Sequence, residues 1–305
     1  MYTNFNEVAI IAHKKAIMKW GSRILTLAAV GFVGFQLFQY EFDFSMLSSP
    51  FVVIGLLLIG IAIGFGVFFF SFNFHWLTQK LSGVLIDRKM TTKIYCATNM
   101  YKYLPINIMQ YVGRNQIVAE AKGVSHAHVA LATLLENVFR CLAAVLVVAL
   151  LGVNLINYVQ LTIPPWAIWV GLTIAASVVI AVMIIFRKRV TAGTMAVLLG
   201  NSVLRTLVIS FTFMLALLLL GQSLTLELAI RVIGLYALAW LAGTLVPIVP
   251  GGIGVREAAI LLLMDSVITE PILAATIVIH RVLYTIGDIF AWLFSMHYKP
   301  KFQPQ

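Results

Sequence analysis

Residues 247–267 read PIVPGGIGVREAAILLLMDSV. Two prolines and three glycines in the first eight positions forbid regular helix there, because proline lacks a donor N–H and glycine gives up the most conformational freedom. The apolar run that follows is short. A helix of about 12 residues reaches only about 18 Å, less than a hydrocarbon core of about 30 Å. The stretch therefore predicts a broken, partly re-entrant segment, which persists at membrane depth only where it is buried in protein or lines a wet cavity. Glycines let the backbone approach a ligand closely, and a helix starting after them points unpaired N–H groups and its positive dipole end at that spot. Arg256 adds a planar fork suited to phosphate, with Glu257 available to hold it. An anion is the physical target, and a lipid phosphate is the obvious source.

The rest of the 305-residue chain supplies the membrane context: 61% of it is hydrophobic and 10% charged, against roughly 45–50% and about 25% in soluble domains. Seven stretches have the length and apolarity of spans: 24–40, 51–72, 128–151, 166–186, 203–220, 228–246 and 272–296. The first follows Lys14, Lys15, Lys19 and Arg23 like a signal peptide, but no A-x-A site precedes Glu41 and Asp43, so it is expected to be retained. Disorder is excluded by the apolar excess. Cys96 and Cys141 stand alone in sequence, which excludes a disulfide framework and a thiolate zinc site.

The net charge of +10 is explained mainly by topology rather than by nucleic acid. Seventeen of the 21 Lys and Arg fall in alternate connections: the N-terminus, 73–127 (Lys80, Arg88, Lys89, Lys93, Lys102, Arg114, Lys122), 187–205 (Arg187, Lys188, Arg189, Arg205) and the tail with Lys299 and Lys301. The loops 41–50, 153–165, 221–227 and 265–271 hold none and carry Glu41, Asp43, Glu227, Asp265 and Glu270. Both termini are thus expected on the cytoplasmic side, and the localisation in the inner membrane of a prokaryote. Seven crossings cannot return the tail to that side, so 247–267 must supply one more passage.

Shifting the chain by 145 residues superimposes 24–40 on 166–186, 51–72 on 203–220 and 128–151 on 272–296, and Pro105 on Pro250. This predicts two halves, 20–150 and 165–297, with re-entrant motifs near 101–118 (Pro105, Asn107, Gly113, Arg114) and 247–264 (Pro250, Gly251, Gly252, Gly254). The first half would start inside and the second outside, an inverted repeat with broken helices of the kind found in transporters. Residues 91–104, TTKIYCATNMYKYL, are too polar for a secure span. The alternative is a cytoplasmic loop with an amphipathic surface helix over 73–90.

Arg140, Arg231, Arg256 and Arg281 fall within or beside spans, with Glu136, Glu257 and Asp288 as possible partners. A charge in a bilayer costs at least about 2.5–3.5 kcal/mol, so each should face the interior and be paired or bind something charged. Thr133, Glu136, Asn137 and Arg140 form one helical stripe, read either as an i, i+4 Glu136–Arg140 pair that helps insertion or as a cavity wall. Arg281, Tyr284 and Asp288 share a face beside His280, with an Arg281–Asp288 pair as the plain alternative. Asn201, Ser202, Arg205, Thr206 and Ser210 make a third stripe, of a kind that often serves as helix-packing glue.

These residues resemble the lysylphosphatidylglycerol synthase transmembrane family of flippase-like integral membrane proteins. The matching stretches are YKYLPINIMQYVGR (101–114), KGVSHAHVALATLLE ending at Glu136, VPIVPGGIGVREAAILLL (246–263) and the last helix with Arg281. The resemblance implies an all-α polytopic fold of about seven to eight spans with two re-entrant regions in inverted halves. It further implies transfer of an aminoacylated phosphatidylglycerol, or of glycolipid or polyprenyl-phosphate cargo, between leaflets. LPINI lacks the glycine that many members carry after the proline. Only about ten residues follow the last span, so the chain is expected not to make lysyl-lipid itself.

The leading functional expectation is a flippase whose groove holds a lipid headgroup at Arg256, Arg281, Glu136, Arg140, Glu257 and Asp288. Glu136 and Asp288 would balance the arginines or engage a cationic headgroup. No Walker A motif is present, and His13, His75, His126, His128, His280 and His297 show no metal-binding spacing, so no cofactor or metal is expected. Membrane lipids are the expected partners; a glycosyltransferase or lipid-synthesis enzyme and a second copy of the chain are compatible ones. Two other classes compete: an intramembrane lipid-modifying enzyme, for which no nucleophile, base and orienting acid emerge, and an accessory subunit of a glycosyltransferase system.

Overall fold

The computed structural model describes residues 44–103, 109–152, 190–245 and 254–297, with scattered positions between 170 and 186. Among these residues there are eight α-helices and no strand. They are α1 (Pro50–Ser82), α2 (Arg88–Asn99), α3 (Met109–Lys122), α4 (His126–Gly152), α5 (Ala192–Leu219), α6 (Leu226–Leu245), α7 (Val255–Met264) and α8 (Glu270–Ser295). A 3-10 turn, Met100–Tyr103, continues α2. Five of the helices, α1, α4, α5, α6 and α8, are long and apolar enough to cross a membrane. They take up the predicted spans 51–72, 128–151, 203–220, 228–246 and 272–296. The predicted span 24–40 lies outside the described residues, as do Pro105, Asn107, Pro250, Gly251 and Gly252, and 166–186 is described only in part.

Large apolar side chains such as Phe51, Leu58, Leu150 and Leu262 point outward, while Ser71, Thr91, Glu136, Ser202 and Asp288 are buried. The exposed apolar side chains suit an apolar solvent outside, while the interior keeps an apolar core with polar groups set into it. The chain is an all-α polytopic membrane protein.

Helix α1 runs 33 residues, about 50 Å. Pro50 occupies its first turn, and Gly83, in the left-handed region at φ 73°, ends it. It passes straight through 73–82, which overturns the alternative of a separate surface helix over 73–90. The polar residues that interrupt the apolar run there all find partners. Asn73 Nδ2 donates to the Leu198 carbonyl at 3.1 Å, His75 Nδ1 lies 2.9 Å from Thr91 Oγ1, and Thr78 Oγ1 donates to the Phe74 carbonyl at 2.7 Å. Helix α2 starts at Asp87, whose carboxylate accepts the Lys89 N–H at 3.0 Å, and buries Met90, Ile94, Tyr95 and Cys96.

The helices recur at a spacing of 145 residues. Adding 145 to the bounds of α3 gives 254–267 against α7 at Val255–Met264, and adding it to α4 gives 271–297 against α8 at Glu270–Ser295. The same step carries α1 onto α5 and places α2 within α6. Packing follows the exchange: α1 lies on α8 as α5 lies on α4, α2 on α8 as α6 on α4, and α2 on α3 as α6 on α7. Helices α1 and α8 approach closely at Gly60, Gly64 and Gly287. A Cβ on Gly64 would stand 2.6 Å from the Gly287 carbonyl oxygen, so backbone contact there requires glycine.

Candidate functional site

Three buried carboxylates organise the polar interior. Glu136 on α4 is 1% exposed. Its Oε1 accepts the Tyr95 hydroxyl at 2.7 Å and the Arg140 guanidinium, and its Oε2 pairs with Arg114 Nη1 at 3.3 Å. The plain reading of the α4 stripe is therefore met by the Glu136–Arg140 pair, and a second arginine joins it. Arg114, at 1% exposed, is among the most deeply buried large side chains described. Its guanidinium lies 3.8 Å from the Tyr95 ring centre and 4.9 Å from that of Phe74, and Nε donates to Thr98 Oγ1 at 3.3 Å. Its neighbour Gly113 lies within α3 against Tyr101, whose ring would stand 2.6 Å from an added Cβ.

Asp288 on α8 is also 1% exposed. It does not take up the predicted pair with Arg281. Instead Oδ1 accepts Asn99 Nδ2 at 2.6 Å, and Oδ2 accepts the Tyr103 hydroxyl at 2.6 Å and pairs with Lys102 Nζ at 2.5 Å. The end of α2 and the following 3-10 turn are thus tied to the last helix. Burial pushes the Lys102 ammonium below its ordinary value, opposed by the Asp288 carboxylate. Burial and Asp288 also push the Cys96 thiol up to about 12, leaving it protonated and unreactive.

Glu257 on α7, 2% exposed, holds Arg281 rather than Arg256. One oxygen receives Arg281, and the other accepts the Gly254 N–H at 2.6 Å, capping α7 where Gly254 sits at φ 80°. Arg256 packs its stem over Gly243 of α6, 3.1 Å from where a Cβ would stand. No carboxylate among the described residues pairs with Arg256 or Arg205. Beside them His280 is enclosed by aromatic rings and contacts Thr212 Oγ1 at 3.1 Å and the Tyr236 hydroxyl at 3.2 Å, a packing role.

The α5 stripe divides. Asn201 and Ser202 act as glue, meeting Asn73 of α1 at 2.7 and 2.9 Å. Arg205, Thr206 and Ser210 instead line a small cleft of about 10 Å³, room for about one water, with Arg140, Ile209, Tyr236 and Trp240. Arg231, by contrast, pairs with Glu227 one turn back on α6.

Three basic residues assigned to loops by the charge count, Lys102, Arg114 and Arg205, therefore belong to this interior. The interior holds six cations, Lys102, Arg114, Arg140, Arg205, Arg256 and Arg281, against the three carboxylates. Tyr95, Asn99, Tyr103, Tyr236 and Trp240 were missed as site residues. The signal was the polarity of 91–104, where Tyr95 and Asn99 fall at i, i+4 on one face of α2.

The fold and this interior define a polytopic helical membrane protein with a buried cationic site. No protein-family model matches the chain, and no curated protein matches it.

Proposed function

We propose that the protein is a lipid flippase of the inner membrane of a prokaryote. Its cargo would be an anionic phospholipid, an aminoacyl-phospholipid or a polyprenyl-phosphate-linked glycolipid. The observation that carries this reading is the excess of guanidinium over carboxylate in the interior. Each uncompensated buried charge is costly, so the site calls for an anion. The resemblance quoted from 101–114, Glu136 and 246–263 supports the same reading. So does the recurrence of four helices at 145 residues, which suits two halves of opposite orientation around a shared site.

In this reading the headgroup enters the polar interior while its tails stay in the bilayer. Arg256 and Arg281 hold phosphate, and Glu257 orients Arg281. The Asp288 bridge to Lys102, Asn99 and Tyr103 holds one side closed and parts when the groove changes its opening. Both termini face the cytoplasm, where juxtamembrane Lys and Arg attract the anionic leaflet by about 1 kcal/mol each. The test is reconstitution in vesicles with fluorescent anionic lipid in one leaflet. Transbilayer movement should appear with the protein and fall at least tenfold in the Arg256→Ala, Arg281→Ala double variant; unchanged movement refutes the site.

A further inference from the structure

One interior cation differs in kind from the others. Arg114, Arg140, Arg205, Arg256 and Arg281 are guanidiniums, planar forks whose several bonds hold them in one orientation, whereas Lys102 is an ammonium, a point charge on a flexible stem that can change partners. It stands on the short 3-10 turn Met100–Tyr103 and not within a long helix. Its side chain is 19% exposed, against 1% for Asp288, its partner at 2.5 Å.

The last helix lays a track beside it. Arg281, Tyr284 and Asp288 lie at i, i+3 and i+7 on one face of α8, so a rise of about 10 Å separates Asp288 from Arg281, with Tyr284 between them. Lys102 Nζ stands 5.6 Å from the centre of the Tyr284 ring and 5.4 Å from that of Tyr103. The ammonium therefore rests over a ring that is one turn from a carboxylate in one direction and one turn from Arg281 in the other. Burial, Arg205 and Arg256 work against its charge, and Asp288 supports it. Asp288 in turn keeps Asn99 and Tyr103 as donors whether or not Lys102 stays.

An anion held by Arg256 and Arg281 changes this balance. It offsets the repulsion from those arginines and offers the ammonium a second partner, so that the exchange leaves no buried charge alone. We infer, resting on the flippase reading, that Lys102 couples cargo binding to opening: the phosphate held by Arg256 and Arg281 draws the Lys102 ammonium off Asp288, and the bridge between α2 and α8 keeps only its two neutral donors. A neutral donor bonds a carboxylate about half as strongly as a charged one, so the end of α2 loosens from α8 when cargo arrives and not before.

The trigger is read as hydrogen exchange across 99–103 in the purified full chain in mixed micelles. The wild type needs no substitution: phosphatidylglycerol should raise exchange there about threefold or more, and diacylglycerol, which lacks the phosphate, should not. With Lys102→Met, basal exchange rises and phosphatidylglycerol adds nothing. Lipid affinity, counted by native mass spectrometry, should move in opposite directions in two variants that break the same ion pair. Lys102→Met weakens phosphatidylglycerol binding severalfold, and Asp288→Asn, which frees the ammonium from the start, tightens it severalfold. A merely structural ion pair makes the two variants act alike. Exchange across 99–103 unmoved by phosphatidylglycerol in the wild type overturns the inference, as do affinity shifts of the same sign. Glycerol 3-phosphate raising exchange at the same concentration as phosphatidylglycerol overturns the lipid source of the phosphate. Lipid-triggered exchange with no movement in vesicles sinks the flippase reading and leaves this inference standing; movement in vesicles with exchange indifferent to lipid does the reverse.

Discussion

Two buried ion pairs occupy corresponding places in the two sets of four helices, with their polarity exchanged. In the first set the short helix α3 brings a cation, Arg114, to an anion on the long helix α4, Glu136. In the second the short helix α7 brings an anion, Glu257, to a cation on the long helix α8, Arg281. Glu136 and Arg281 stand 145 residues apart, the spacing at which the helices themselves recur. What differs is the surroundings. Arg114 is enclosed by the rings of Tyr95 and Phe74 and shares Glu136 with Arg140, so this pair is a closed structural joint. Around Glu257 one cation is matched and the next, Arg256, is left without a carboxylate among the described residues. The same architectural joint thus shares one carboxylate between two cations in one set and, among the described residues, leaves a neighbouring cation without one in the other.

The comparison can be broken most severely at Glu136. Glu136→Leu strands two buried guanidiniums at once and should cost about 3–5 kcal/mol, read as lost stability on unfolding in mixed micelles. Glu257→Gln should cost less, about 1–3 kcal/mol, because one cation loses its partner while the amide oxygen still accepts a hydrogen bond. A cost equal to that of Glu136→Leu would erase the difference between the two joints. Asp288→Asn should cost about 1–2 kcal/mol and loosen the end of α2, seen as faster hydrogen exchange across 99–103, since Lys102 keeps some access to solvent. Arg256→Ala should change stability by no more than about 0.5 kcal/mol, yet lower the binding of phosphatidylglycerol severalfold. A large loss of stability there would make Arg256 a second structural cation.

Much of this was legible along the chain. Unbroken apolar runs located the five long helices, because a bilayer demands both length and apolarity of any segment that crosses it. The glycines before Val255 marked the start of a short helix that no membrane thickness could accommodate as a span. The intrahelical Glu136–Arg140 pair follows from i, i+4 spacing alone. Charges off the spans were harder. Lys102, Arg114 and Arg205 look like loop cations when counted by position, since a single basic residue near a span end carries no mark of which side it faces. The extension of α1 through 73–82 was hidden for a related reason: Asn73, His75 and Thr78 lower the local apolarity, and only their partners on α5, on α2 and in α1 itself make burial affordable.

By itself the sequence determined the all-helical membrane class, the positions of the long helices and the 145-residue recurrence. Those properties are written in periodicity and composition, which act locally along the chain. Tertiary structure alone decided which cation meets which carboxylate, directing Asp288 to Lys102 instead of Arg281 and Glu257 to Arg281 instead of Arg256. Ion pairing falls off over a few ångströms and depends on desolvation, so partners tens or hundreds of residues apart are selected by helix packing and not by spacing in the chain.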